Sequence, residues 1–197
     1  MIPYYKNVID VITDSVESIP EDTYSQILDE CVATIKNGGK IIASGLGKNV
    51  PICEKFVGTL NSLGIDARFL HTNTAIHGDL GMVRSKDIVF LLSKGGGTNE
   101  TIQLGQYLKE RGTNTWLWTF HENSRAGEVV DKQLVLHLEN EGDEWNIVPN
   151  NSTTVYLIIL QGMAIEIAKR LGVTIKDFGR NHPGGGIGRK LREQGEI

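Results

Sequence analysis

The stretch Asp87-Ile88-Val89-Phe90-Leu91-Leu92-Ser93-Lys94-Gly95-Gly96-Gly97-Thr98 decides the fold. After Asp87 come five large apolar residues with nothing polar between them. A strand with one face in water alternates apolar and polar side chains, whereas an unbroken run belongs to a strand covered on both faces. The run breaks into small residues suited to a tight turn, and a segment of helical period follows from Thr98 to about Arg111. The same unit of strand, glycine loop and helix recurs upstream. Lys40-Ile41-Ile42-Ala43 leads into Ser44-Gly45-Leu46-Gly47-Lys48, and a helix from about Pro51 to Leu63 is stopped by Gly64.

Working outward, strands are predicted at Ala67 to Leu70, Thr115 to Phe120 and Gln133 to Leu138, with a short helix near Ser124 to Val130. Tyr24, Ile27, Leu28, Cys31 and Ile35 mark an amphipathic helix that Gly38-Gly39 ends. Ser152 to Leu171 reads as a long helix, apolar nearly all round and therefore buried. The last 25 residues, around Pro183-Gly184-Gly185-Gly186, read as irregular. Five strands alternating with helices predict an α/β fold, a three-layer sandwich around a largely parallel sheet. The chain is expected to be one domain over 1–197, with its core at about 38–172 and a tail at 173–197. No internal repeat or low-complexity linker interrupts it.

Composition narrows the function. The 197 residues carry 24 acidic and 20 basic side chains, a formal charge of −4, which argues against a general binder of nucleic acid or anionic membrane. From Lys169 onward seven bases face three acids, leaving +4 there and −8 over the rest. No apolar run approaches membrane-spanning length, and the start has no basic segment followed by an apolar one. Cys31 and Cys53 form neither a disulfide framework nor a CxxC pair and read as reduced core residues, so a cytoplasmic location is expected. Glycine is abundant, 23 residues where average usage is about 7%.

In doubly wound sheets, ligands bind beyond the carboxyl ends of the strands at the switch in strand order. The loops after the first, third and fifth strands are thus the candidate site. Glycines let backbone approach an anion, N–H groups at a helix start point towards it, and hydroxyls add donors. Lys48 and Lys94 add positive charge. Neither loop has the Walker A spacing, and Val50 stands where the third glycine of a dinucleotide fingerprint belongs. A monophosphate fits better than a dinucleotide; two tight turns without a ligand are the bland alternative.

His77 sits beside Gly78-Asp79 between the second and third strands, and His182 beside Pro183-Gly184 in the tail. His182 has polar and glycine neighbours and belongs to no apolar period, whereas His71, His121 and His137 are less informative. Glu100 falls in the first turn of the helix after the glycine loop, where it either complements the helix dipole or faces the loop's ligand. Glu139, Glu141, Asp143 and Glu144 follow the fifth strand, and composition does not choose among them. No cluster has metal-ligand spacing, so no metal is expected.

Gly45-Leu46-Gly47-Lys48, His77-Gly78-Asp79-Leu80-Gly81-Met82-Val83, Ser93-x-x-Gly96-x-Thr98-x-Glu100, Ser152-Thr153-Thr154 and His182-Pro183-Gly184-Gly185-x-x-Gly188-Arg189-Lys190-Leu191 occur in that order. Together they resemble a sugar isomerase (SIS) domain of the arabinose-5-phosphate isomerase type, over roughly Gly38 to Leu191. The resemblance implies a five-stranded parallel sheet of flavodoxin-like order and a homotetramer with sites shared between subunits. It implies reversible interconversion of D-ribulose 5-phosphate and D-arabinose 5-phosphate through an enediol, without a cofactor.

The residues that match the family's catalytic groups are Lys48, Glu100, Glu141, His77 and His182, the two histidines able to reach neighbouring subunits. Ser44, Gly45, Ser93, Gly96, Thr98, Ser152 and Thr153 would hold the phosphate. In this chemistry Glu141 or Glu100 would be the base, Lys48 would stabilise the enediolate and His182 would open the ring or shuttle a proton. Several positions depart from the family: Gly95 replaces a serine, Lys94 and Gly97 are atypical, as is Asn49-Val50-Pro51, and Asn150-Asn151 stands where Thr-Ser is usual. Trp145 adds bulk near the expected base. Longer members carry two C-terminal CBS modules; the sequence stops before them, so regulation by that route is not expected.

Two alternatives stand beside this reading. One is an isomerase of another pentose or hexose phosphate. The other is a catalytically silent sugar-phosphate sensor, which would need the phosphate loops and not the proton-transfer groups.

Overall fold

The computed structural model describes residues 2–197. Five strands, β1 (Ile41–Gly45), β2 (Ala67–Phe69), β3 (Ile88–Leu92), β4 (Asn114–Thr119) and β5 (Lys132–Val135), form one parallel sheet in the order β2-β1-β3-β4-β5. This is the flavodoxin-like order, with its switch between β1 and β3. Ile41 pairs with Ile88 and Gly45 with Leu92, so the loops that follow β1 and β3 leave the same edge side by side.

Both strands are buried along their whole length, as their unbroken apolar runs require. Successive side chains point to opposite faces. Ile41, Ala43, Ile88, Phe90, Leu92, Trp116 and Trp118 face one layer, made by α2 (Glu21–Lys36), α3 (Asn49–Ser62) and α6 (Asn151–Leu171). Ile42, Val89, Leu91 and Leu117 face the other, where Leu104 and Leu108 of α5 (Asn99–Glu110) pack. Phe90, Trp118 and Tyr156 form an aromatic column through the first layer, and the Tyr156 hydroxyl donates to the Trp118 carbonyl at 2.8 Å. Cys31 and Cys53 are buried free thiols, and burial pushes both up, that of Cys53 to about 12. Among the described residues no helix is long and apolar enough to cross a membrane.

Several local expectations are corrected. No helix forms at Ser124 to Val130. The Ala126 N–H donates to the Gly96 carbonyl and the Gly127 N–H to the Ser124 hydroxyl, so this segment spends its donors on the glycine loop and on a turn. β5 ends at Val135 because its sole partner, β4, ends at Thr119 opposite it. The C-terminal 25 residues are not irregular: α7 (Ile175–Arg180) opens on a capping box between Thr174 and Asp177, and α8 (Gly185–Glu193) buries Leu191. α6 is not enclosed all round, because it packs against α1 (Pro3–Glu17), α2 and α3 on one side and leaves Ile158 and Ile165 exposed on another. α1 itself, with Pro3 in its first turn, was not expected from the sequence.

Candidate functional site

Three loops meet at the carboxyl edge of the sheet. The first leaves β1. Gly45 lies so close to α3 that an added Cβ would sit 2.7 Å from that of Asn49. The Asn49 side-chain amide donates to the Leu92 carbonyl at 3.1 Å, tying this loop to the end of β3. Lys48 is exposed at the start of α3 and forms no ion pair among the described residues. Ser44 is fully buried instead, its hydroxyl 2.8 Å from that of Thr72 in the short helix α4 (Thr72–Ala75) after β2.

The second loop leaves β3. The Ser93 N–H donates to the Trp118 carbonyl, and the Lys94 carbonyl accepts from the Phe120 N–H and the Thr119 hydroxyl, so the loop is clamped to β4. Gly96 takes the left-handed conformation, φ +57°, and a Cβ there would overlap Ser124. The N–H groups of Gly95, Gly97 and Thr98 make no hydrogen bond among the described residues. They surround the start of α5, whose first turn also lacks a side-chain cap. Backbone donors without partners at the positive end of a helix make an anion-binding concavity. Ser93, 6% exposed, borders it, and Glu100 is exposed in the first turn of α5 with no hydrogen-bond or ion-pair partner.

The third loop runs from β5 to α6 and carries Glu141, which is fully buried. Four donors converge on its carboxylate. Oε1 accepts from Lys94 Nζ and the Ser152 hydroxyl, both at 2.7 Å; Oε2 accepts from the Asn150 N–H at 3.1 Å and the Ser152 N–H at 2.9 Å. Glu141 therefore caps α6 from outside the helix, its negative charge at the dipole's positive end. Burial alone would raise its pKa, but the Lys94 ammonium and the Ser152 and Asn150 donors prevail and hold it below the ordinary glutamate value. The loop is rigidified by Asp143, which accepts from the N–H groups of Trp145, Ile147 and Val148, and by Asn146, which accepts from the Glu141 N–H. Trp145 projects from it, 67% exposed.

The sequence-predicted residues thus divide. Lys48, Ser93, Gly96, Thr98, Glu100, Glu141 and Ser152 come to one edge. The hydroxyls of Ser44, Ser152 and Thr153 are committed to Thr72, Glu141 and the Asn150 carbonyl, respectively. His77 is exposed after α4 and bonds to none of the others through its side chain. His182 lies elsewhere. It stacks on Phe178 at 4.0 Å, its Nδ1–H donates to the Phe178 carbonyl at 2.8 Å, and its Nε2 is 3.0 Å from the hydroxyl of Ser62, the last residue of α3. At 1.5 Å per residue, the length of α3 separates His182 from Lys48 by roughly 20 Å. The Lys94–Glu141 pair is the contact that sequence reading missed. Its only signal was Lys94 as an unusual residue in the glycine loop.

A family model described as "SIS domain" matches residues 34–168. The arabinose 5-phosphate isomerase KdsD of Yersinia pestis is 31% identical over 186 residues, 94% of this chain and 57% of that protein. The arabinose 5-phosphate isomerase KpsF of Escherichia coli is 37% identical over 153 residues, 78% of this chain and 48% of that protein. The chain thus spans about half the length of the curated relatives it matches. Among solved structures, E. coli CFT073 c3406 in complex with arabinose 5-phosphate superposes with a TM-score of 0.84 at 28% identity, covering 91% of this chain and 94% of that one.

Proposed function

This chain belongs to the SIS domain family, and from that premise we infer that it is a sugar-phosphate aldose–ketose isomerase, with D-ribulose 5-phosphate and D-arabinose 5-phosphate as its substrate pair. The observation that carries the reading is the meeting of two unlike features at one edge. One is the set of unpartnered N–H groups of Gly95, Gly97 and Thr98; the other is the pair of unengaged side chains Lys48 and Glu100 beside them. A sensor needs the first feature and has no use for the second. The relatives named as arabinose 5-phosphate isomerases and the neighbour in complex with arabinose 5-phosphate support the pentose.

The glycine loop and the start of α5 hold the phosphate. Glu100 takes a proton from C1 of the ketose, and the C–H electrons form the C1–C2 double bond as the C2 carbonyl becomes an enediolate oxygen. Lys48 meets that negative charge. Return of the proton to C2, with loss of the O1 proton as the C1 carbonyl forms, gives the aldose. Of the two carboxylates, Glu100 suits this role because both oxygens of Glu141 are occupied by donors and its pKa is depressed, which weakens it as a base. His182 is too far from Lys48 along α3 to serve its own site, so ring opening falls to His182 of a second copy. The apolar surface of Leu63, Ile165, Val173, Ile175 and Phe178 beside it is what such a copy would cover.

Incubation with D-ribulose 5-phosphate in D2O, followed by proton NMR, tests the reading. The expected product is D-arabinose 5-phosphate carrying deuterium at C2. Neither product nor exchange would reject this substrate, and the same result across a panel of pentose and hexose phosphates would reject isomerase chemistry altogether.

A further inference from the structure

Lys94 is the one member of the glycine loop whose side chain leaves the loop. Its backbone is fixed to β4 through the Phe120 N–H and the Thr119 hydroxyl, and its ammonium crosses to Glu141 at the start of α6. Glu141 is fully buried, whereas the Lys94 side chain is 36% exposed, so the ammonium keeps an open side. Its own loop supplies the unpartnered N–H groups of Gly95, Gly97 and Thr98. Among the described residues it is the only charged side chain paired with Glu141. The start of α6, the second helix terminus at this edge, is already filled by that carboxylate, since the Asn150 N–H and the Ser152 N–H and hydroxyl all donate to it. An anion arriving at the glycine loop therefore finds one cation within the loop, and that cation is shared with a carboxylate of the protein.

Building on the isomerase reading above, we propose that Lys94 is a positioning residue that joins the phosphate loop to Glu141, the sugar's phosphate and the Glu141 carboxylate competing for its ammonium. The loop lacks the second hydroxyl of the family pattern because Gly95 stands there, and Lys94 restores a donor with a full charge. Competition for one cation has a signature that a structural ion pair does not. Removing the cation weakens phosphate binding, while neutralising the carboxylate strengthens it.

The test is isothermal titration of the full chain with inorganic phosphate, with folding of each variant checked by circular dichroism and activity measured on D-ribulose 5-phosphate. Lys94→Met is expected to weaken phosphate about tenfold or more, the loss of one charged hydrogen bond. Lys94→Arg is expected to remain within about threefold of the parent, because it keeps the charge. Glu141→Gln is expected to bind phosphate several-fold more tightly, and this gain should vanish in the double variant with Lys94→Met. If Lys94→Met does not fold, Lys94→Gln, which keeps a neutral donor for Glu141, makes the same comparison. Phosphate affinity unchanged within twofold in the Lys94 variants would overturn the proposal, as would weaker binding in Glu141→Gln. If the parent turns over no sugar phosphate while these affinities shift as described, the isomerase reading falls and Lys94 as the shared counter-ion stands.

Discussion

Replacing Glu100 by Gln lowers the rate of proton transfer between C1 and C2 by about 10²–10⁴-fold, the usual contribution of a general base. The side chain is exposed and bonded to nothing, so the fold loses only its interaction with the start of α5, at most about 1 kcal/mol. Activity and stability therefore separate at this position. The measurement is deuterium incorporation from D2O beside a thermal melt. More than a tenth of the parent rate in Glu100→Gln would take the base assignment away from this residue.

Glu141→Leu acts in the opposite sense, on the fold. It leaves the Lys94 ammonium, the Asn150 N–H and the Ser152 N–H and hydroxyl without their common acceptor. Breaking a buried pair in this way costs about 3–5 kcal/mol. In a chain of this length that lowers Tm by roughly 10 °C. The parent carries a matching acid sensitivity. Because the folded pKa of Glu141 lies below its unfolded value, the stabilisation is complete above the unfolded value, about 4.3, and is lost as the pH falls through the folded one. Glu141→Gln should lack that part of the acid transition. A Tm for Glu141→Leu within about 2 °C of the parent, by the same scaling, would show that the carboxylate does not anchor α6.

The central strands were legible because their signal is local: Ile88 to Leu92 is apolar without interruption and can only be a strand covered twice. The switch point followed, and with it Lys48, Ser93 and Glu100, which sit on the first residues beyond their strands. The engagement of Glu141 was not legible. It depends on a loop folding back so that donors from Asn150, Ser152 and Lys94 reach one carboxylate, and no spacing in the chain encodes that convergence. Ser44 was assigned a ligand role from its neighbours, whereas its hydroxyl is satisfied by Thr72 from the next crossover. The helices of the C-terminal segment were readable in part: Thr174-x-x-Asp177 is a cap signal that the surrounding glycines obscured. His182 looked unattached in sequence because its partners are a helix end, Ser62, and the ring of Phe178 one turn earlier.

The place of His182 at the far end of α3 has a kinetic consequence. If ring opening belongs to this imidazole, a solitary chain is only half of a working unit, and turnover follows encounters between copies. In dilute solution the rate per volume then falls with the square of the protein concentration, and specific activity ceases to be a constant of the preparation. Expression level would act as a control on flux, with no effector required.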